Sequence, residues 1–230
     1  MQVVGVDGCP GGWVAVTWDA AAGTLTTAVY RSFAELLAAT EDAIAIGVDI
    51  PIGLVEGAPR RADAAARRLL GPRRNSVFPA PDPRLLDTGT YAETLALART
   101  LTGRGISRQA HAIYPKIAEV DRLVTPALQS RVIECHPEVA FTLLAGAPMA
   151  HPKRTAAGYD ERRAALEREL GIALWDRATA RSAARPATPD DLLDAVVVAW
   201  SAHRFATGEA ISLPDPPEFD TRGRRCEIVA

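Results

Sequence analysis

Cysteine is scarce in this sequence. Cys9, Cys135 and Cys226 are an odd number, at spacings that match neither a zinc site nor a disulfide framework. This excludes a disulfide-stapled scaffold and fits a reducing cytoplasm. Long apolar runs are missing as well: no stretch approaches the roughly 20 residues that cross a bilayer, and the N-terminus has no basic flank before an uninterrupted hydrophobic segment. The expectation is a soluble, unexported, cytoplasmic protein with no membrane partner. Neither sign of charge is in excess, since 26 Lys and Arg face 28 Asp and Glu for a formal net charge of −2. With no global field to attract nucleic acid, any polyanion site has to be a local basic patch. The phosphate-loop patterns G-x-x-x-x-G-K and G-x-G-x-x-G do not occur, which removes the Walker and Rossmann readings. His111, His151 and His203 have no metal spacing, and no serine stands in a Ser-His-Asp pattern. Repeats, low-complexity tracts and long linkers are absent too.

What is present is enough apolar residue, 48% of 230, to bury a sizeable core in one domain spanning 1–230. The opening MQVVGVDGCPGGWVAV reads as a strand, a glycine-rich hairpin turn and a second strand, because WVAVTW is β-branched and aromatic rather than helical. TLTTAVY reads as a third strand. SFAELLAA has helical periodicity with Ser32 as N-cap and Glu35 completing a capping box. AIAIGVDIPIGL, stopped by Pro51 and Gly53, reads as a buried central strand. Residues 59–128 or so read as a mostly helical insertion rich in arginine. Strand character returns at RVIECHPEVAF and ends before Pro137. The last helix has Thr188 as N-cap, Pro189 at the first helical position and Gly208 near its end. The element order is therefore βββ, α, β, helical insertion, β, α, a mixed α/β protein.

Acidic residues punctuate this order. Asp7 ends the apolar run of the first strand and either begins the turn or serves a site. Asp49 interrupts the fourth strand, where a carboxylate is costly to bury without a cation or donors. Glu134 closes the fifth. Asp190 and Asp191 stand in the first turn of the last helix, where acids favourably meet the helix dipole. Asp191 and Asp194 share a face beside the apolar stripe of Leu193, Val196, Val197 and Trp200, the pattern of a cleft.

The segments VGVDGCPGGW, GVDIPIGL, RNSVFPAP, PKIAEVD, ECHPEVAF, PKRTAAGYDERR and DDLLDAVVVAWSA, in that order, resemble the DUF429 family of predicted nucleases in the ribonuclease H-like superfamily. The D-x-x-D-A of Asp191 to Ala195 also looks like the final acidic motif of RuvC-type resolvases. The resemblance implies a ribonuclease H-like core, a central mixed sheet flanked by helices, with the insertion between the fourth and fifth strands. It implies metal ligands at Asp7, Glu134 and either or both of Asp191 and Asp194, with Asp49 a ligand or a neighbouring acid; an acid from the first helix has no match, because Glu35 is explained by capping. Converging carboxylates suit Mg2+ or Mn2+, hard cations that keep water and substrate phosphate in their remaining positions. Two such ions roughly 4 Å apart would serve phosphodiester hydrolysis in DNA or RNA.

Phosphate contacts are expected from Lys116, Lys153 and Arg162 in the family-like segments, and from Arg74. Arg60, Arg61, Arg67 and Arg68 read as a solvated helix face partly paired with Asp63. Three other functions remain at this stage: a non-catalytic nucleic-acid or protein binding module, a hydrolase of a small phosphorylated metabolite, and an actin-like ATPase or sugar kinase. The last needs a second phosphate loop and an adenosine loop that the chain lacks.

Overall fold

β1 (Gln2–Cys9), β2 (Gly12–Asp19) and β3 (Thr24–Tyr30) form consecutive antiparallel hairpins in the computed structural model, which describes all residues from Met1 to Ala230. The turn at Pro10 and Gly11 joins Cys9 to its partner Gly12. α1 (Phe33–Ala39) starts where Ser32 accepts the N–H of Glu35, whose own carboxylate reaches back to the N–H of Arg31. β4 (Ala45–Val48) then pairs parallel with β1, and β5 (Val132–Glu134) parallel with β4. The result is a five-stranded mixed sheet of order β3-β2-β1-β4-β5.

The strand carrying Asp7 is longer than its apolar run implies. β1 continues to Cys9, so Asp7 lies inside it rather than at its end. What stops there is the pairing with β4: Val6 is the last residue to find a partner, and the N–H of Asp49 closes the ladder on the Val6 carbonyl at 2.9 Å. Asp7 and Asp49 thus stand where two parallel strands part.

The chain divides into two compact units, Met1–Asp49 with Arg131–Ile211 and Val229–Ala230, and Ile50–Ser130 with Ser212–Ile228. In the first unit the sheet is covered on both faces. α1 lies on one face, where Phe33 meets the ring of Trp13. α8 (Pro189–Thr207) packs along β1, β2 and β4 on the other, supported by α5 (Pro137–Ala145), α6 (Ala156–Leu170) and α7 (Arg177–Ala183). α8 is buried on nearly every side from Leu192 to Ala202, well beyond the stripe its sequence presents, because those three helices cover what the sheet does not. Two glycines set the distance between sheet and helix. A Cβ on Gly5 would lie 2.0 Å from the Ala195 carbonyl oxygen, and one on Gly47 would lie 2.8 Å from the Val198 side chain. Only bare backbone lets α8 come this close.

The second unit holds α2 (Arg61–Leu70), short 3-10 turns at Gly71–Ser76 and Pro83–Leu85, α3 (Tyr91–Thr102) and α4 (Arg108–Leu123), so the elements before the fifth strand are helical. It also contains a hairpin, β6 (Ser212–Phe219) with β7 (Arg225–Val229). The sequence reading ends at the last helix and does not anticipate it. Pro214, Pro216 and Pro217 hide the strand, yet β6 has β7 as its sole sheet partner, and an edge strand tolerates residues that cannot donate to a second ladder.

Candidate functional site

Side chains alternate across a sheet, and Gly5 and Gly47 face α8. Asp7, two residues further along β1, and Asp49, the residue that follows β4, face it too. The close approach at Gly5 is to Ala195, the neighbour of Asp194, so the packing that seats the helix also brings Asp194 to the two strand acids. Asp7 and Asp194 are buried, at 8% and 1% exposure, and Asp49 is half-buried. One cation enters the cluster: the Lys153 ammonium donates to Asp194 Oδ2 at 2.5 Å. Asp7 also accepts the N–H of Gly8 at 2.6 Å.

The electrostatics follow from burying more acid than base. Burial raises the Asp7 carboxyl well above the ordinary carboxylate range, the charges of Asp49 and Asp194 raise it further, and Lys153 offsets part of the rise. Burial, followed by Asp194, raises Asp49 to about 7. Lys153 is pushed up chiefly by Asp194 and is held as an ammonium. Glu138, a first-turn acid of α5 that the sequence reading does not single out, also raises Asp49. One of its oxygens holds Arg162 at 2.5 Å, while the other, Oε2, is buried without a hydrogen-bond partner. The only signal for it in the sequence is its place in ECHPEVAF.

The remaining expected residues lie elsewhere or are already engaged. Glu134 is buried at 5% exposure, but it pairs with Val48, and Val48 with Val6. That register puts Glu134 on the sheet face opposite Asp7 and Asp49, so it does not join their cluster. Asp191 closes a capping box: it donates its N–H to the Thr188 hydroxyl and accepts the Thr188 N–H at 2.8 Å. Burial raises Asp191 and Asp190 as well, and both feel Lys153. Arg162 is 1% exposed, with its guanidinium on Glu138 and on the carbonyls of His151 and Gly158. It is an internal cation rather than a phosphate contact. Lys116 on α4 and Arg74 in a 3-10 turn belong to the second unit. Arg60, read as part of a solvated face, is 2% exposed and bonded to Asp63 and to the carbonyls of Ile52 and Gly53. Arg67 turns to the Val77 carbonyl. Burial and the charge of Asp49 push the Cys135 thiol up, leaving it neutral.

As a cation site the cluster has suitable donors, the carboxylate oxygens that hard divalent ions prefer. Asp7, Asp49 and Asp194 against Lys153 leave two negative charges uncompensated, and the orphaned Glu138 oxygen adds another donor of the same kind. In the side-chain positions of the structure no three His, Cys, Asp or Glu residues converge as a metal-holding group; Lys153 takes one oxygen of Asp194.

Residues 5–219 match the family model described as Protein of unknown function (DUF429). That span is most of the chain, and the protein belongs to this family. No curated protein and no solved structure matches it. No helix is long and apolar enough to cross a membrane.

Proposed function

We propose that this DUF429 protein is a phosphodiesterase of ribonuclease H-like fold that hydrolyses DNA or RNA at the cluster of Asp7, Asp49 and Asp194, with Mg2+ or Mn2+ as cofactor. The observation that carries the reading is the uncompensated charge: three carboxylates share one ammonium, and their repulsion adds to burial, the larger cause, in raising Asp7 and Asp49. A site held at such an electrostatic cost is characteristic of chemistry rather than of packing. Strand acids meeting a last-helix acid over a mixed sheet is also the layout that the family resemblance implies, and it supports the superfamily assignment. In this reading Asp49 takes the place given above to Glu134.

Asp7, Asp49 and Asp194 would hold the ion, with Glu138 Oε2 beside them. Bound there, it would supply Lewis acidity toward a phosphoryl oxygen and an activated water. The chain's own part is to keep these oxygens fixed and partly dry, through β1, β4 and the close-packed α8, and to offer the Lys153 ammonium to a phosphate oxygen. In hydrolysis a water oxygen bonds to phosphorus as the bond to the leaving oxygen breaks; the water loses a proton and the leaving oxygen gains one.

The test is titration of Mg2+ or Mn2+ into wild type and Asp7→Asn by calorimetry, with cleavage assays on labelled DNA and RNA. Wild type is expected to bind the ion and cleave, and Asp7→Asn to lose about a thousandfold in rate while staying folded, because the change removes a charge and not core volume. Undiminished turnover in pure Asp7→Asn would rule out this site.

A further inference from the structure

A cavity of about 500 Å³ in the first unit is lined by Lys153, by the α8 acids Asp190 and Asp191, and by four arginines, Arg154, Arg177, Arg181 and Arg185. Because Lys153 also bonds Asp194, the cavity adjoins the carboxylate cluster. Three of the six other arginines in this unit are ion-paired, and these four are not. Arg162, Arg163 and Arg204 pair with carboxylates, whereas none of the four cavity arginines forms an ion pair. Arg177 and Arg181 are four apart on α7 and share a face. Arg177 is held in place by donating to the Arg154 carbonyl at 2.9 Å. In a chain of net charge −2, this is the local basic patch that a polyanion requires.

Resting on the hydrolase reading above, we propose that this cavity binds the phosphodiesters of a single nucleic-acid strand next to the scissile one, with Arg154, Arg177, Arg181 and Arg185 as the contacts. Guanidiniums present fixed donor forks that match phosphate oxygens. Four of them exceed the charge of one phosphate group and match a run of singly charged diesters. The lining acids, Asp190 and Asp191, repel an anion and leave the arginine side as the seat for the strand. Such contacts set register and affinity without reading bases.

The experiment is fluorescence anisotropy of a labelled single-stranded oligonucleotide with the full chain, in chelator so that no cleavage occurs, over a salt series. Three proteins are compared: wild type, Arg181→Ala/Arg185→Ala, and the charge-matched Arg31→Ala/Arg168→Ala, which removes two exposed arginines elsewhere. The cavity variant is expected to bind about tenfold more weakly and to lower the salt slope by about 1.4, two contacts at roughly 0.7 each for single strands. The control is expected to match wild type. Equal weakening in both variants, an unchanged slope in the cavity variant, or no binding by wild type would overturn the proposal. Competition by inorganic phosphate or a mononucleotide as strong, per phosphate, as that by unlabelled oligonucleotide would also overturn it, in favour of a small phosphorylated ligand. Since binding is read without metal or turnover, its failure is distinct from failure of the cleavage assay.

Discussion

Each unit of this protein buries charge, and the two do so in opposite ways. In the second, Arg224 at 2% exposure reaches Asp220 at 2.7 Å and Asp121 at 2.5 Å, and Arg222 reaches Asp121 at 3.0 Å. Two cations meet two anions, and the backbone N–H groups of Arg222 and Arg224 donate to Asp220 as well. In the first unit three carboxylates share Lys153. The balanced group needs nothing further and ties α4 to the β6–β7 hairpin. The unbalanced one is complete only with protons or a cation from outside. Buried charge alone is therefore weak evidence of function; an excess of one sign, adding to the displacement of ionisation that burial causes, is the useful mark.

The strongest way to break the comparison is to unbalance the balanced group. Arg224→Met leaves Asp220 and Asp121 without their main partner, and is expected to cost about 3–5 kcal/mol of stability in chemical denaturation. A loss within 0.5 kcal/mol or so, the scale of surface changes, would show that the network contributes little and that balance is not what makes it structural.

Next is relief of the unbalanced group. Asp49 titrates near 7 in the folded chain and near 3.9 when unfolded, so between those values the native state holds the extra proton. Stability from this group is complete below about pH 4 and is lost as pH rises toward about 7. In chelator, Asp49→Asn is expected to be more stable than wild type by about 1–3 kcal/mol at about pH 8 and equal to it at low pH. Mg2+ is expected to raise the melting temperature of wild type at about pH 8 and to leave the variant unmoved. A wild type that gains stability throughout this range relative to the variant would refute the charge-excess argument.

The two groups also differ in how far sequence reveals them. Asp7 and Asp49 are legible because each interrupts a β-branched run, where a carboxylate needs a reason. The mixed sheet was legible from the order of such runs. Glu134 is as conspicuous at the end of its strand, yet its face depends on register, and a one-residue difference in register carries a side chain to the other side of a sheet. Arg60 looks like one more surface arginine until the carbonyls of Ile52 and Gly53 close around it. Lys153 meets Asp194 across 41 residues, a contact no local pattern encodes. The Asp121–Arg224 pair spans 103 residues and includes a hairpin whose prolines conceal it. Local grammar exposes costly placements, while tertiary contact decides which are compensated.

The smallest effect separates the two acids of the last helix, which sequence leaves as alternatives. Asp191 is engaged with Thr188 at both its N–H and its carboxylate, whereas Asp194, 1% exposed, bonds Lys153 inside the cluster. Asp191→Ala keeps its backbone donor but loses the carboxylate half of the capping box, and is expected to cost about 0.5–1 kcal/mol. Its cleavage rate should stay within a few-fold of wild type. Asp194→Asn, by contrast, removes one of the three charges that set the excess, and is expected to abolish cleavage with little change in melting temperature at neutral pH. The pair is informative because the residues are three apart on one helix and differ in what they hold: one ends a helix, the other faces the ammonium. If Asp191→Ala proved inactive and Asp194→Asn active, the site would lie at the helix terminus and the charge excess around Asp7 would have no part in turnover.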